Sequence, residues 1–366
     1  MKRLTFGILL LIALGGFPAR SFSAENNPAS VAPGVSGVLE PLHRAEIEAQ
    51  IRLQGSGNLG PLMRLISDLG VGKYNWIFIV LLFFFVSPGF AARFAIFFMA
   101  GLWLRELLAL ALQSPRPYWL DPRVLRLGPI NGPASFGLPS GHAMMGSAFW
   151  VFLATEIRVR WAWIIATIMA VLIAFSRVYL GLHFFSDVTL GLLLGFSYCL
   201  LYRKIEPAIL QWWWRAVPPR RLIFAVSLGA SMLLAGLAVR YWLSSPSVPD
   251  PWGEFSRGAR RLNPFADYGG ALAGTGMALA FLKSWPQVRE RWKWHLLVLL
   301  AAGAIAFCVP TRIASSVLKP VFFNWPESIQ ILTRFGFRVA EAWLVWFLVP
   351  RILLMGRESR AAITKM

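Results

Sequence analysis

Three short polar segments interrupt the long apolar stretches of this chain, and two of its four histidines fall within them. The segments are residues 114–117 (SPRP), 138–142 (LPSGH) and 176–187 (SRVYLGLHFFSD). They combine arginine, histidine, serine and aspartate side chains, which can bind an anion and transfer a proton. We therefore expect the functional site to form where these three segments meet.

The third segment has the residues of a nucleophile or base with its orienting acid. His183 and Asp187 are four residues apart, so on a helix their side chains share one face. A carboxylate bonded to one imidazole nitrogen fixes the tautomer and leaves the other nitrogen as nucleophile or base. Arg177 and Arg116 each offer a planar guanidinium. Two guanidiniums that converge on one point suit a phosphate.

The second segment has the pattern of a helix start beside an anion. Ser140 is typical of an N-cap, Gly141 allows close approach to a ligand, and the helix N-terminus presents free N–H groups. His142 on the first turn can protonate a leaving oxygen. Each segment alone has a structural explanation, such as capping or a buried His–Asp pair. Ionisable residues among membrane spans are costly and usually functional, so all three together favour a shared site.

The composition predicts an all-α, polytopic membrane helical bundle. Of the 366 residues 57% are hydrophobic and 14% are charged, whereas soluble domains carry about a quarter charged residues. The net charge of +19 comes largely from basic residues at the ends of apolar segments, which argues for membrane orientation and against nucleic-acid binding. Cys199 and Cys308 lie in apolar segments, so we expect neither a disulfide framework nor a thiolate metal site.

Residues 1–24 have the pattern of a signal peptide, with an uncleaved N-terminal anchor as the alternative. Under both interpretations, the chain from Glu25 onward begins outside the cytoplasm. Residues 25–72 form a polar segment with a predicted helix over 40–53, which we expect to lie on the membrane or to pack over the spans rather than to form a separate binding module. We expect His43, within this helix, to lie at the surface.

Nine apolar segments are predicted to span the membrane. A core at residues 73–205 has about five to six spans, and an additional region at 206–366 has about four. The predicted spans are 74–86, 90–112, 143–154, 161–175, 184–202, 222–241, 268–282, 296–309 and 339–354. Because most basic residues then fall on the cytoplasmic side, all three polar segments lie on one non-cytoplasmic face. The outer loops at 242–267 and 310–338 also hold basic residues, which can contact anionic lipid or substrate headgroups.

These segments resemble the signature of the type 2 phosphatidic acid phosphatase family, relatives of glucose-6-phosphatase and the vanadium haloperoxidases. That signature is Lys-x6-Arg-Pro, then Pro-Ser-Gly-His, then Ser-Arg-x5-His-x3-Asp. The second and third parts are complete here, at residues 139–142 and 176–187. The first part has Arg116 and Pro117, but Ala109 stands at the position of the lysine. The resemblance covers about residues 60–205.

The resemblance implies a lipid phosphatase of the bacterial inner membrane with its site facing the periplasm. By this resemblance His183 attacks phosphorus to give a phosphohistidine, Asp187 orients it, and His142 protonates the leaving group and later activates water. The phosphoryl oxygens are held by Arg116, Arg177, Ser140 and the Gly141 amide. It implies no metal and no cofactor. The substrate is a phosphate or pyrophosphate on a lipid in the bilayer, and phosphotransfer to a second lipid uses the same chemistry.

Ala109 leaves the phosphate site short of one positive charge. Loss of such a contact costs on the order of 2–4 kcal/mol of transition-state stabilisation. Arg105, one helical turn earlier, can compensate, or Glu106 can neutralise Arg105 as a structural pair. An altered substrate is a third explanation. The competing hypothesis is a non-catalytic member of the family that binds lipid phosphates or serves as a scaffold. The sequence does not indicate an oligomeric state.

Overall fold

The structure, a computed structural model, describes residues 40–55, 59–70, 78–79, 81–82, 86–128, 135–243, 255, 258–282 and 325–363. Within these ranges the regular secondary structure is helical and contains no strand, which confirms the all-α prediction. The helices are α1 (Glu40–Gly55), α2 (Gly60–Asp68), α3 (Pro88–Leu112), α4 (Pro117–Leu120), α5 (Gly141–Ile157), α6 (Arg160–Tyr179), α7 (Phe185–Arg215), α8 (Pro218–Ala238, continued by a π-helical turn at Val239–Leu243), α9 (Asn263–Ala280) and α10 (Glu327–Ile363).

Four helical stretches among the described residues are long and apolar enough to cross a membrane, so the protein is a multi-pass membrane protein. They coincide with four predicted spans and are Pro88–Leu120, Arg160–Tyr179, Phe185–Arg215 and Pro218–Tyr241. The predicted spans at 143–154 and 339–354 lie within α5 and α10, and the predicted span at 268–282 lies within α9 except for its last two residues. The predicted span at 296–309, most of that at 74–86 and the predicted leader at 1–24 lie outside the described residues.

The described residues fall into two compact units. The first contains the described residues within Met1–Asn75, Leu104–Lys204 and Leu237–Arg261, and the second contains those within Trp76–Trp103, Ile205–Gly236 and Leu262–Met366. All three polar segments belong to the first unit. The domain boundaries expected from the sequence, after residues 24, 72 and 205, remain predictions.

In the first unit, small residues let the helices approach closely. One face of α6 is buried and carries Ala162 and Ala166, which pack against Ala154 of α5. The opposite face of α6 exposes large aliphatic side chains, as expected of a helix that contacts lipid. In α7, a Cβ at Gly195 would overlap the Met144 carbonyl oxygen of α5, so only glycine permits this contact. These contacts fix α5, α6 and α7, which carry most of the candidate site.

Helix α1 packs over the C-terminal end of α6 and the turn after it, which agrees with one of the two positions expected for it. The prediction that His43 lies at the surface is wrong, because its side chain is 2% exposed and stacks on Phe184 with ring centroids 4.1 Å apart. The buried face of α1 is polar, with His43, Glu46, Gln50 and Gln54 at helical spacing. We call these four residues the polar stripe. Glu46, Gln50 and Gln54 are buried with hydrogen bonds to backbone groups at the end of α6, in the adjoining turn and at the start of α7.

The second unit contains carboxylates paired with arginines. Asp267 of α9 accepts hydrogen bonds from Arg334 at 2.7 Å and from Arg338 at 2.9 Å, both in α10. Arg338 also donates to Glu341 at 2.6 Å. We call these four residues the Asp267 cluster. Another arginine of this unit, Arg221, donates to four carbonyl oxygens at the C-terminal ends of α7 and α9, those of Trp214, Ala216, Ala280 and Leu282.

Candidate active site

A tight turn between α6 and α7 carries the end of the third polar segment. The Gly181 backbone has a φ of +71°, and a Cβ there would overlap the Leu125 carbonyl oxygen, so the turn requires glycine. The Leu182 amide donates to the Arg177 carbonyl at 3.1 Å and closes the turn. The turn thereby brings the end of α6, with Arg177, next to the start of α7.

His183 and Asp187 are brought together as the spacing predicts. The His183 Nδ1 lies 3.2 Å from the Asp187 Oδ2, and both side chains are buried. The pair spans the start of α7 rather than a helical interior, because α7 begins at Phe185. The same Oδ2 accepts the Phe184 amide at 3.0 Å, which fixes the carboxylate against the turn.

The other ring nitrogen of His183 faces a guanidinium. The Arg116 Nη1 lies 3.3 Å from the His183 Nε2. Because a guanidinium has only donors, this contact requires Nε2 to accept, so the ring proton is on Nδ1, toward Asp187. Burial lowers the pKa of His183 well below its usual value, and the charges of Arg116, Arg177, Arg105 and His142 lower it further. The ring is therefore neutral at pH 7 and has a free electron pair on Nε2.

Arg116 and Arg177 are both buried, and the hydrogen bonds they make to the described residues go to uncharged groups. Arg116 donates to the Ser135 carbonyl at 2.7 Å and to the Leu182 carbonyl at 3.0 Å, besides the Ser135 hydroxyl. Arg177 donates to the Ser67 hydroxyl at 2.6 Å, and its buried Nε has no hydrogen-bond partner within the described ranges. We call Arg116 and Arg177 the clamp arginines. Neither is bonded to a carboxylate in the part of the chain that the structure describes.

The second polar segment begins α5, as expected. The Ser140 hydroxyl accepts the Ala143 amide at 3.5 Å, so Ser140 is the N-cap. The Ser140 amide donates to the Asp187 carbonyl oxygen at 3.1 Å, which joins this segment to the start of α7. Gly141 and His142 follow on the first turn of α5. Burial, together with the charges of Arg177, Arg105 and Arg116, lowers the pKa of His142 well below its usual value.

Arg105 lies beside the second polar segment and also pairs with Glu106. Its guanidinium donates to the Pro139 carbonyl at 3.1 Å and lies against Gly141, where a Cβ would sit 3.1 Å from the Arg105 Nε. It also donates to Glu106 at 2.7 Å. Further bonds go to the Phe136 carbonyl and the Ser135 hydroxyl. Arg105 therefore lies beside the second polar segment, although one carboxylate pairs with it. Ala109 is 1% exposed, so its position faces the interior.

Several polar residues around the site were missed by the sequence analysis. Ser67 and Ser135, which bind the clamp arginines, belong to no recognisable motif. Glu46 and Gln50 of the polar stripe contact residues 183–186. Their helical spacing is a signal, but it usually marks a solvent-exposed face. Burial raises the pKa of Glu46, while its two hydrogen bonds from Ser186 act in the opposite direction. In the described part of the chain, no group of three or more His, Cys, Asp or Glu is arranged to hold a metal ion.

Comparison with known proteins identifies relatives of this chain. The family model described as the PAP2 superfamily matches residues 90–211. An undecaprenyl-diphosphatase from Sulfolobus acidocaldarius is 34% identical over 151 residues, 40% of this chain and 71% of that protein. Phosphatidylglycerophosphatase B from Bacillus subtilis is 31% identical over 100 residues, 25% of this chain and 49% of its own length.

Two further matches are more distant. Mouse sphingosine-1-phosphate phosphatase 2 is 28% identical over 139 residues, which cover 36% of this chain and 38% of that protein. A crystal structure of a transmembrane PAP2-type phosphatidylglycerolphosphate phosphatase from Bacillus subtilis aligns with a TM-score of 0.38 and 22% identity, over 57% of this chain and 96% of that one. On the sequence matches, the chain belongs to the PAP2 superfamily of membrane phosphatases.

Proposed function

We propose that this protein hydrolyses a phosphate or diphosphate on a lipid headgroup, through a phosphohistidine at His183, at the periplasmic face of the bacterial inner membrane. The observation that carries the proposal is the position of the His183 ring. Its Nδ1 is bound by Asp187, and its Nε2 faces Arg116 at 3.3 Å. An imidazole oriented in this way has its nucleophilic nitrogen beside a phosphate-binding group.

The reaction has two steps. In the first, the His183 Nε2 attacks phosphorus, the bond from phosphorus to the leaving oxygen breaks, and His142 donates a proton to that oxygen. Asp187 stabilises the positive charge that develops on the ring. In the second, water attacks the phosphohistidine while His142 accepts its proton. The bond between nitrogen and phosphorus then breaks, which releases phosphate and restores the neutral imidazole.

The clamp arginines supply the positive charge for the transferred group. The Arg177 Nε is a buried donor without a partner among the described residues, and such a donor is stabilised by a phosphoryl oxygen. When a phosphoryl group binds beside His183, the Arg116 Nη1 can donate to a phosphoryl oxygen instead of to the His183 Nε2. Ser140 and the Gly141 amide lie at the N-terminus of α5, where an anion is favoured. Arg105 adds positive charge beside Gly141 and substitutes in part for the lysine that Ala109 replaces.

A lipid substrate is supported by the membrane-spanning helices that carry the candidate site. The relatives are named for undecaprenyl diphosphate and for phosphatidylglycerophosphate, and both names describe a phosphate group carried by a membrane lipid. Basic residues at the other ends of the spans support a periplasmic orientation. A substrate can then keep its tail in the bilayer while its phosphate reaches His183. Transfer of the phosphoryl group to a second lipid would need only an alcohol in place of water.

The test is a panel of lipid phosphates presented to the purified protein in lipid nanodiscs. The panel contains phosphatidate, phosphatidylglycerol phosphate, undecaprenyl diphosphate and a lipid A phosphate, and released phosphate is measured. We expect hydrolysis of at least one of these lipids and a loss of at least roughly 10³-fold in His183→Gln. When the phosphate of the lipid is radiolabelled and the reaction is quenched with alkali, the wild-type protein should carry an alkali-stable label, as expected of a phosphohistidine. His183→Gln should carry no such label. Release by His183→Gln at the wild-type rate would refute the mechanism.

The second candidate is a non-catalytic protein that binds or organises lipid phosphates, and the observation that favours it is Ala109. A lysine introduced there would restore the family's pattern in a position that faces the interior. We therefore include Ala109→Lys in the panel. Phosphate release that appears only in Ala109→Lys would support the binding role, whereas release by the wild type would exclude it.

A further inference from the structure

The polar stripe of α1 binds the backbone on both sides of His183. The Gln50 Nε2 donates to the carbonyl oxygens of Val178 and of His183, the latter at 3.2 Å. The Gln54 Nε2 donates to the Tyr179 carbonyl at 2.9 Å. The last carbonyls of a helix have no partner within it, so these two glutamines supply donors to the end of α6 and to the turn.

Glu46 binds the first turn of α7. Its Oε1 accepts the Ser186 amide at 2.8 Å, and its Oε2 accepts the Ser186 hydroxyl at 3.0 Å. The residue before α7 is Phe184, whose side chain cannot cap a helix. A carboxylate from a different helix therefore satisfies an amide that a local cap would otherwise bind.

Two carboxylates thus hold neighbouring amides at the start of α7. Asp187 binds the Phe184 amide, and Glu46 binds the Ser186 amide. Ser186 lies directly before Asp187 in the chain. A shift of the Ser186 backbone would therefore move the Asp187 carboxylate relative to the His183 ring. His43 stacks on Phe184 and packs the same turn from α1.

We propose that Glu46 is a positioning residue for the reaction, because it fixes the first turn of α7 and thereby the geometry between Asp187 and His183. The inference rests on the proposed role of His183 as nucleophile. Catalytic groups must be held within about 0.5 Å of their productive positions, and a displacement of about 1 Å can cost on the order of 10²-fold in rate. Glu46 lies outside the three parts of the family's signature and before the residues 90–211 that the family model matches.

Three variants separate positioning from folding and from charge. Glu46→Leu removes both hydrogen bonds, and we expect kcat to fall roughly 10- to 100-fold with little change in KM. Glu46→Gln keeps an oxygen for the Ser186 amide and an N–H₂ for the Ser186 hydroxyl, so kcat should stay close to wild type. The matched control is Glu48→Leu, since Glu48 lies on the exposed face of α1 and pairs there with the exposed Arg123. This control should turn over like wild type.

The measurements are kcat, KM and the rate of phosphoenzyme formation on the lipid that the wild-type protein hydrolyses, with thermal unfolding recorded for each variant. Wild-type kcat in Glu46→Leu would overturn the inference, as would an equal loss in Glu46→Gln. If Glu46→Leu does not fold, Glu46→Asp takes its place. Its carboxylate is one methylene shorter and cannot keep both bonds, so an unchanged kcat there would also overturn it.

The same experiment distinguishes this inference from the proposed function. His183→Gln is measured in parallel on the same lipid. If His183→Gln still hydrolyses the lipid, the proposed function itself fails. If His183→Gln is inactive while Glu46→Leu is fully active, only the positioning role of Glu46 fails.

Discussion

Two groups of arginines in this membrane protein have opposite hydrogen-bonding environments. The Asp267 cluster in the second unit neutralises Arg334 and Arg338 with carboxylates at hydrogen-bonding distance. The clamp arginines in the first unit are more deeply buried, yet among the described residues they bond only uncharged oxygens and the His183 ring. The clamp arginines therefore have no carboxylate at hydrogen-bonding distance among the described residues, unlike the arginines of the Asp267 cluster.

The difference is the one expected between arginines with a structural role and arginines that bind a ligand. A buried cation without a counter-ion destabilises a folded protein, so a site that retains one needs an anion to stabilise it. A phosphate supplies that charge and the acceptors that fit a guanidinium. Arg105 lies between the two cases, because it has one carboxylate partner, Glu106, and three uncharged ones. Substitutions in each group test this contrast, and the clamp should respond most strongly.

The largest effect is expected at the clamp. Arg116→Met removes a donor aimed at the transferred phosphate, so phosphate release should fall roughly 10²- to 10³-fold. Because the variant replaces a buried cation by an apolar side chain of similar length, thermal stability in detergent should stay the same or rise. Activity and unfolding temperature are measured on one preparation. Retained activity with a lower unfolding temperature would place Arg116 with the structural arginines instead.

Arg105→Met tests the intermediate case. We expect activity to fall roughly 10- to 100-fold, since the variant loses positive charge and the bonds that hold residues 135–139. Glu106→Gln is the matched variant, because it removes the pairing carboxylate and leaves Arg105 in place. Phosphate release by Glu106→Gln should equal or exceed that of the wild type. A large loss in Glu106→Gln would show that the pair itself, and not the charge of Arg105, is what the site needs.

The burial of His183, together with the charges of the clamp arginines, also predicts a pH dependence of stability. The pKa of His183 in the folded protein lies below the ordinary value of 6.5. In the unfolded chain the ring takes up a proton as the pH falls below about 6.5, while the folded protein does not. Stability should therefore fall with decreasing pH in this window, by at most about 1.4 kcal/mol per pH unit for this group.

The comparison for this prediction is His183→Gln, which has no titrating ring at that position. Unfolding temperatures of both proteins are measured from about pH 7.5 down to about pH 5, values chosen to bracket the ordinary histidine pKa of about 6.5. The decrease toward acid pH should be smaller in His183→Gln. Parallel profiles would show that His183 is protonated equally in both states, which contradicts the lowered pKa.

The smallest effect is expected in the Asp267 cluster. Asp267→Asn leaves Arg334 and Arg338 without their shared carboxylate, and stability should fall by about 1 kcal/mol or less, since both arginines are partly exposed to solvent. Phosphate release per folded molecule should be unchanged. Glu327→Gln, an exposed position at the start of α10, is the control for removing an acidic charge. A loss of turnover in Asp267→Asn would mean that this cluster also acts on the site.

Local patterns predicted the geometry of the polar segments better than that of the residues around them. The pairing of His183 with Asp187 follows from their spacing, and the start of α5 at Gly141 follows from the capping pattern. The prediction for His43 was wrong because a polar helix face is normally exposed. Nothing in the sequence indicates that this face of α1 covers backbone carbonyls. Ser67 and Ser135 could not be predicted, because their contacts with the arginines depend on how distant segments pack.

Four membrane spans were predicted correctly because a long apolar run has few alternatives in a helical membrane protein. The ends of the helices were less accurate. Helix α7 continues to Arg215, well past the predicted end at residue 202, through a charged and Trp-rich stretch. Hydropathy marks the part of a helix in lipid, whereas hydrogen bonding continues beyond it.

The contacts of α1 also have a consequence for the order in which the protein assembles. Glu46 and Ser186 are separated by 140 residues, and Gln50 and Val178 by 128. At usual synthesis rates the ribosome makes such a stretch in roughly ten seconds. During this time α1 exists without the turn that it covers. Contacts between such distant residues form late in folding, so His183 acquires its support from α1 only after α6 and α7 have been made. In newly made chains, activity should therefore appear only after the membrane helices are in place and α1 has packed on the turn.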